Sequence, residues 1–207
     1  MMSIAEMRGK MRVELIDYTK NGIEKIARLS ASTRKSVTDI QMDEQKANEF
    51  VRSLIRMGHE GTLEHIYFTF MIEDVSRVLT HQLIRHRIAS YLQQSDRHVE
   101  PSPNKFYIPD KIWENMEAYK VFINSLEKSY LSYKELRKLG IKKEDARYLL
   151  PPAFYTHIAV TMNAREIRHF LKLRLDKHAQ KEIRDVAREI YNIVNDIYPV
   201  LVEDIKP

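Results

Sequence analysis

The chain has 207 residues, enough for one domain or two closely packed ones with a sizeable core, and a single domain over 1–207 is expected. Its 34 Lys and Arg against 29 Asp and Glu leave a formal charge of +5, a mild excess that favours anionic partners without choosing between polymers and metabolites. Cysteine is absent, which excludes disulfides, thiolate metal ligands and cysteine nucleophiles, and neither a signal-peptide h-region nor a membrane-length apolar run occurs, so a soluble, cytoplasmic protein with no membrane partner is expected.

A short strand is predicted over Met11–Ile16 and a helix over Asp43–Met57, whose Ala47, Phe50, Val51, Leu54 and Ile55 share one face and which Gly58 stops. "HIYFTFMIE" reads as a strand. A helix is then predicted over Val75–Arg85, because Val75, Val78, Leu79, Gln82 and His86 recur at 3–4 spacing; this brings Gln82, Arg85 and His86 together at its end. "VEPSPNKFYIPD", around residues 99–110, reads as an internal loop. Ile112, Met116, Tyr119, Ile123, Leu126, Tyr130 and Tyr133 mark a long amphipathic helix closed by Gly140. "FYTHIAVTM" (154–162) is a strand entered through Pro151 and Pro152. Asn163 and Glu166 form a capping-box pattern that starts a helix with Ile167, Phe170, Arg174 and His178 on its inward stripe. Ile183, Val186, Ala187, Ile190, Val194 and Ile197 trace a last amphipathic helix. Helices dominate over a few strands, which gives the class α+β.

Five glycines, Gly9, Gly22, Gly58, Gly61 and Gly140, are too few and too scattered to write a dinucleotide G-x-G-x-x-G loop or a Walker loop. "HEGTLEH" (59–65) has its histidines six apart, not the four that stack two ligands on one helix face, so no metal site is expected there. Ser90 and Ser95 lie near His86, but no G-x-S-x-G elbow exists for a serine hydrolase. The densest feature is "RHRIASYLQQSDRHVE", Arg85–Glu100. Three readings are open for it. Arg85, Arg87 and Arg97 with Tyr91 mix cations and an aromatic ring as a single-stranded nucleic-acid-binding module would. The same arginines suit a compact anion site, where a guanidinium fork takes phosphate while Gln and Ser fix an uncharged ring edge, as a nucleotide monophosphate requires. They also suit a helix-end loop paired with carboxylates. Elsewhere "KKEDAR" and "KEIRDVARE" are charge-balanced faces and not a phosphate-tracking stripe.

"RHRIASYLQQS" resembles R-H-R-x7-S, the signature of the flavin-dependent thymidylate synthases, and "SRVLTHQLIRHR", "HEGTLEH" before "FTF", "EDARYLLP" and "NAREIRHFLKLRLDKHAQ" resemble further blocks of that family in family order, over roughly residues 10–197. The resemblance implies a small antiparallel sheet packed with several long helices, and an enzyme that methylates dUMP to dTMP. Methylenetetrahydrofolate would be the carbon donor and NADPH would supply reducing equivalents through FAD, in a homotetramer that binds no nucleic acid. Carried over by motif position, Ser30, His59, Gly61, Arg85, His86, Arg87, Gln93, Asn163, Arg165 and His169 would bind the flavin. Gln82, Arg85, Gln93, Gln94, Ser95, Asp96, Arg97, Arg147 and Arg174 would bind dUMP, and Arg174 has the catalytic position. This chain has His98 where relatives often carry Tyr, and Gly61 where they carry a hydroxyl residue. Folate-only thymidylate synthesis activates uracil with a cysteine thiolate, which a cysteine-free chain cannot do; a fixed cation at the uracil edge is the alternative.

Overall fold

The computed structural model describes residues 11–33, 43–102 and 105–207. In chain order the main elements are β1 (Arg12–Tyr18), α1 (Gly22–Ala31), α2 (Glu44–Arg56), β2 (Tyr67–Ser76), α3 (Arg77–Leu83), β3 (Ala89–Gln93), α4 (Met116–Lys138), β4 (Tyr155–Asn163), α5 (Ala164–Arg174) and α6 (Lys181–Ile197). Short helical segments at Glu60–His65, Asp110–Trp113, Lys143–Ala146, Arg147–Leu149 and Pro199–Leu201 join them. The strands form one antiparallel sheet in the order β1-β2-β4-β3, so the α+β class holds. Its register is fixed at several points: Thr19 N–H donates to Tyr67 C=O, and the Thr69 and Thr161 hydroxyls meet at 2.9 Å.

The chain folds into two compact units, each made of discontinuous segments, and every strand begins in one and ends in the other. The first comprises the described part of Met1–Arg12, Ile72–Leu83 and Leu92–Ile158. Its core is Phe106, Ile108, Leu126 and Phe154, against which Ile112, Tyr119, Ile123 and Tyr130 pack. Each fully buried side chain of this size contributes about 1.5–3 kcal/mol relative to exposure. The predicted long helix is α4, but it starts later. Asn115 caps it by accepting from Glu117 and Ala118 N–H, so Ile112 falls in the preceding turn and Met116 is exposed. At its other end Gly140, at φ +86°, allows Gly140 N–H to reach Arg137 C=O and Ile141 N–H to reach Leu136 C=O.

The second unit comprises Val13–Met71, Ile84–Tyr91 and Ala159–Pro207. Ile23, Ile26, Val51, Leu54, Leu63, Phe68, Phe70, Ile167, Phe170, Val186 and Ile190 are its buried core. The 3–4 spacing of α6 is seated there through Ile183, Val186, Ala187, Ile190 and Val194. Helix α2 has its predicted limits: Asp43 accepts from Lys46 N–H, and Gly58 at φ +74° ends it with Gly58 N–H on Ile55 C=O and His59 N–H on Leu54 C=O.

Two expectations are corrected, and two further elements are found that the sequence did not announce. The helix predicted over Val75–Arg85 is only Arg77–Leu83, because Val75 and Ser76 finish β2, so Arg85 and His86 lie in the connection beyond the helix and not on its last turn. The stretch after it is the short strand Ala89–Gln93, whose alternation of half-buried and exposed positions was masked by the charges around it. Helix α5 ends at Arg174, so His178 leaves the inward stripe and stands exposed beside Asp176. Helix α1, absent from the sequence expectations, buries Ile23, Ile26 and Ala27. Residues 103 and 104 of the predicted loop lie outside the described residues.

Candidate active site

The second unit holds a cavity of about 510 Å³ whose walls come from segments far apart in the chain. Arg85, His86, Arg87 and Ile88 form one wall, Asn163, Arg165, Glu166, His169 and Lys172 another, and Glu60 and Glu64 a third. Of the residues that the flavin resemblance implies, Arg85, His86, Arg87, Asn163, Arg165 and His169 therefore line one space. His59 and Gly61 flank Glu60 in the turn that begins where α2 stops. The α2 terminus sets that turn, since the left-handed Gly58 reverses the chain directly into His59.

Helix α5 supplies the second wall through its spacing. Asn163 accepts from Glu166 N–H at 2.8 Å, satisfying one orphan donor of the first turn. Only half of the capping box is made: the Glu166 carboxylate is used instead on His86, at 3.0 Å from Nδ1, with both side chains buried. The Arg174 Nε–H donates to His86 Nε2 at 3.1 Å. His86 also meets the ring of Phe170 edge-on with centroids 5.0 Å apart, and lies 5.7 Å from His169. Its backbone carbonyl accepts from the Tyr91 hydroxyl at 2.7 Å. Burial lowers the His86 pKa; the Glu166 contact opposes that, and the positive charge of Arg174 reinforces it. Burial also pushes the Tyr91 hydroxyl up to about 12, so it is a standing donor at neutral pH. Ligand atoms of His86, Glu166 and His169 lie within 4.8 Å of one another, as a metal site would need. Both nitrogens of His86 are already engaged, by a carboxylate and by a guanidinium, which makes this a hydrogen-bonded chain.

Two arginines of α5 pair with acidic residues. Arg165 pairs with Glu64 at 2.6 Å, holding the second and third walls together at an exposed edge. Arg168, fully buried, donates to Leu201 C=O, binds Asp204 through Nη1 at 2.7 Å and Nη2 at 2.8 Å, and reaches Glu60 at 3.1 Å. Sequence reasoning missed Arg168 because it lies beside the apolar stripe, and it saw Glu166 only as a capping partner. Ser30, buried on α1, has a hydroxyl without a hydrogen-bond partner among the described residues.

The residues that the resemblance implies for nucleotide binding lie mainly in the first unit. Gln82 is on α3, and Gln93 ends β3 with its amide on the Thr80 and Thr156 hydroxyls at 3.2 and 3.4 Å. Gln94 N–H donates to His157 C=O at 3.0 Å. Ser95 closes a turn: its hydroxyl accepts from Arg97 N–H and its carbonyl from His98 and Val99 N–H. Asp96 is paired with Arg77 at 2.5 Å, and Arg77 also donates to Gln94 C=O. Arg77, unnoticed in the sequence, thus tethers the whole Gln94–Asp96 segment. Arg97 binds Glu144 at 2.9 Å near the surface, and His98 offers its carbonyl to Lys143. A cavity of about 490 Å³ in this unit is lined by Arg77, His81, Asp96, Arg147, Tyr148 and Tyr155 among others. Arg174 belongs to the second unit, as do Arg85 and the residues of the flavin set other than Gln93.

Residues 14–200 match the family model described as "Thymidylate synthase complementing protein". Over 189 residues the chain is 41% identical to a protein of Thermococcus onnurineus named flavin-dependent thymidylate synthase, covering 87% of this chain and 77% of that one. A Clostridium tetani protein of the same name is 39% identical over 219 residues, 94% of this chain and 88% of its own length. Among solved structures, a UMP/dUMP methylase from Streptomyces cacaoi bound with 5-Br dUMP superposes with a TM-score of 0.85 at 26% identity, covering 95% of this chain and 94% of the other. With a family match over most of its length and relatives of this identity and coverage, the chain belongs to the flavin-dependent thymidylate synthases.

Proposed function

We propose that the protein reductively methylates dUMP to dTMP, taking the methylene carbon from methylenetetrahydrofolate and reducing equivalents from NADPH through bound FAD, and that it works as a cytoplasmic homotetramer. The observation that carries this reading is the gathering of Arg85, His86, Arg87, Asn163, Arg165 and His169, from two segments nearly eighty residues apart, around one cavity of about 510 Å³. The substrate assignment draws on the 5-Br dUMP held by the Streptomyces cacaoi methylase.

The residues present fit a flavin. Arg85, Arg87 and Arg165 offer guanidinium forks for phosphate oxygens, while Asn163 and His169 offer hydrogen bonds to a polar ring edge. The buried Ser30 hydroxyl, lacking a partner among the described residues, is the donor on α1 that the resemblance assigns to the same group, and it assigns His59 and Gly61, on either side of the lining residue Glu60, with it. When bound, the flavin supplies the hydride that converts the transferred carbon to a methyl group. The chain's own tasks are orientation and electrostatics. Gln82, Gln93 and Gln94 carry amides that donate and accept, as a uracil edge requires. Arg97 and Arg147 are the cations for the 5′-phosphate; the dianion displaces Glu144 from the exposed Arg97, since a screened surface ion pair is worth only about 0–1 kcal/mol. Ser95 and Asp96 hold the turn that presents them. Arg174 is the catalytic residue: its fixed positive charge beside the uracil favours loss of the N3 proton and raises the nucleophilicity of C5, replacing thiolate addition in a chain without cysteine.

The test is direct. The purified protein is expected to show flavin absorption that is released on denaturation, and to form dTMP from dUMP only with methylenetetrahydrofolate and NADPH present. Absence of flavin bands after FAD addition, or oligonucleotide binding with no affinity for dUMP, contradicts the reading.

A further inference from the structure

The Arg174 guanidinium is positively charged at any accessible pH, so its Nε can only donate. At 3.1 Å from His86 Nε2, that donor requires an unprotonated nitrogen opposite it. The proton of a neutral ring must then sit on Nδ1, 3.0 Å from the Glu166 Oε1. A carboxylate is acceptor-only, so Glu166 selects this tautomer; an Nε2–H ring would set two donors against each other and leave two acceptors facing at Nδ1. The contacts run one way along a line of three residues, carboxylate to imidazole to guanidinium. Phe170 closes one side of the ring, which fixes its plane.

We propose that Glu166 is the positioning residue for Arg174, acting through His86: by holding the imidazole as its Nδ1–H tautomer, it turns Nε2 into the acceptor that aims the guanidinium. The proposal rests on the catalytic role given to Arg174 above. It gives the unfinished capping box a purpose, since Glu166 is withdrawn from the Asn163 backbone to serve His86. It also explains why a carboxylate is buried next to a histidine, when a buried charge without a charge-assisted partner is costly. Geometric supply of this kind matters because a misplacement of about 1 Å in a reacting site costs on the order of a hundredfold in rate. A glutamine at this position could accept from Nδ1–H or, with its amide reversed, donate to Nδ1, so it removes the tautomer selection while keeping size and hydrogen bonding.

Neutron diffraction from the wild-type protein at neutral pH is expected to show deuterium on His86 Nδ1 and none on Nε2; density on Nε2 overturns the proposal. Glu166→Gln, checked by melting and flavin content, is expected to lower the dTMP-forming kcat about tenfold. The same substitution in an Arg174→Lys background, which keeps a cation without the Nε donor, is expected to cost less than twofold more. A purely structural Glu166 predicts equal losses in both backgrounds, and that result also overturns the proposal. Failure of the wild-type protein to form dTMP counts against the functional reading alone, because the neutron map reports the proton without any substrate.

Discussion

His86 concentrates what is physically distinctive about the site: it is buried, it accepts from an arginine, and its pKa lies below the ordinary 6.5, chiefly through burial. Glu166, Arg174 and His169 are the charged or titratable groups that act on it, with Glu166 pulling the other way. In the unfolded chain this histidine takes up a proton near 6.5, while the native state resists until lower pH, so just below 6.5 the unfolded state binds more protons. The contribution to stability is therefore complete above 6.5 and is lost as pH falls from there towards the native value. Once the native ring itself is protonated the Arg174 contact is lost too, because imidazolium cannot accept. We expect the melting temperature to decline as pH falls below about 6.5, and kcat to decline only once the lowered native value is passed; a melting temperature that stays flat as pH falls below 6.5 would contradict the assignment. At the reacting end, Arg174→Ala should reduce kcat by at least about 10²–10³, the cost of removing one preorganised donor. Ser95→Ala should keep measurable turnover, since its hydroxyl accepts from Arg97 N–H in a turn that backbone bonds from His98 and Val99 also close. Full activity in Arg174→Ala, measured by conversion of dUMP, would sink the mechanism.

Among the elements, α5 carries the most consequences in the fewest residues. Its cap is Asn163, its first turn holds Glu166, its buried side holds Arg168 and its last residue is Arg174. Replacing Asn163 with Ala should cost about 1 kcal/mol of unfolding free energy through the lost cap, and more in flavin retention, because Asn163 lines the cavity. Arg168→Ala should be worse, about 2–5 kcal/mol by denaturant titration, chiefly because it opens a cavity in the core and takes the guanidinium from Asp204, while Glu60 keeps Lys172 nearby. The Arg168 guanidinium holds the Asp204 carboxyl below its ordinary pKa, so this contribution is present above about 3.8 and is lost only in stronger acid, a window separate from that of His86. The same element shows where sequence periodicity fails. The stripe of Ile167 and Phe170 was legible and is buried. Arg168 was not, since a buried arginine is chosen by an acidic partner thirty-six residues away, which no local pattern records. The reverse error was His178, which fits the spacing but falls beyond the end of the helix.

For the whole molecule, each strand is divided between the two compact units. We therefore expect one cooperative thermal transition, and two resolved calorimetric transitions would contradict the single-domain reading. No helix among the described residues is long and apolar enough to cross a membrane. The proposed tetramer is checked by light scattering, where about four times the 24.6 kDa chain mass is expected. The α+β class, the helix limits at Asp43, Gly58, Asn163 and Gly140, and the family are legible in the amino-acid sequence alone, because capping, periodicity and short motifs are local chemistry. That α3 stops at Leu83 and that Ala89–Gln93 is a strand needed the folded chain, since sheet pairing depends on the partner strand and not on intrinsic preference. The same holds for Glu166 serving His86 and His86 serving Arg174, because each hydrogen bond is selected by a donor or acceptor brought in from a distant segment, and the Glu166–His86 contact is buried where the low local dielectric strengthens it.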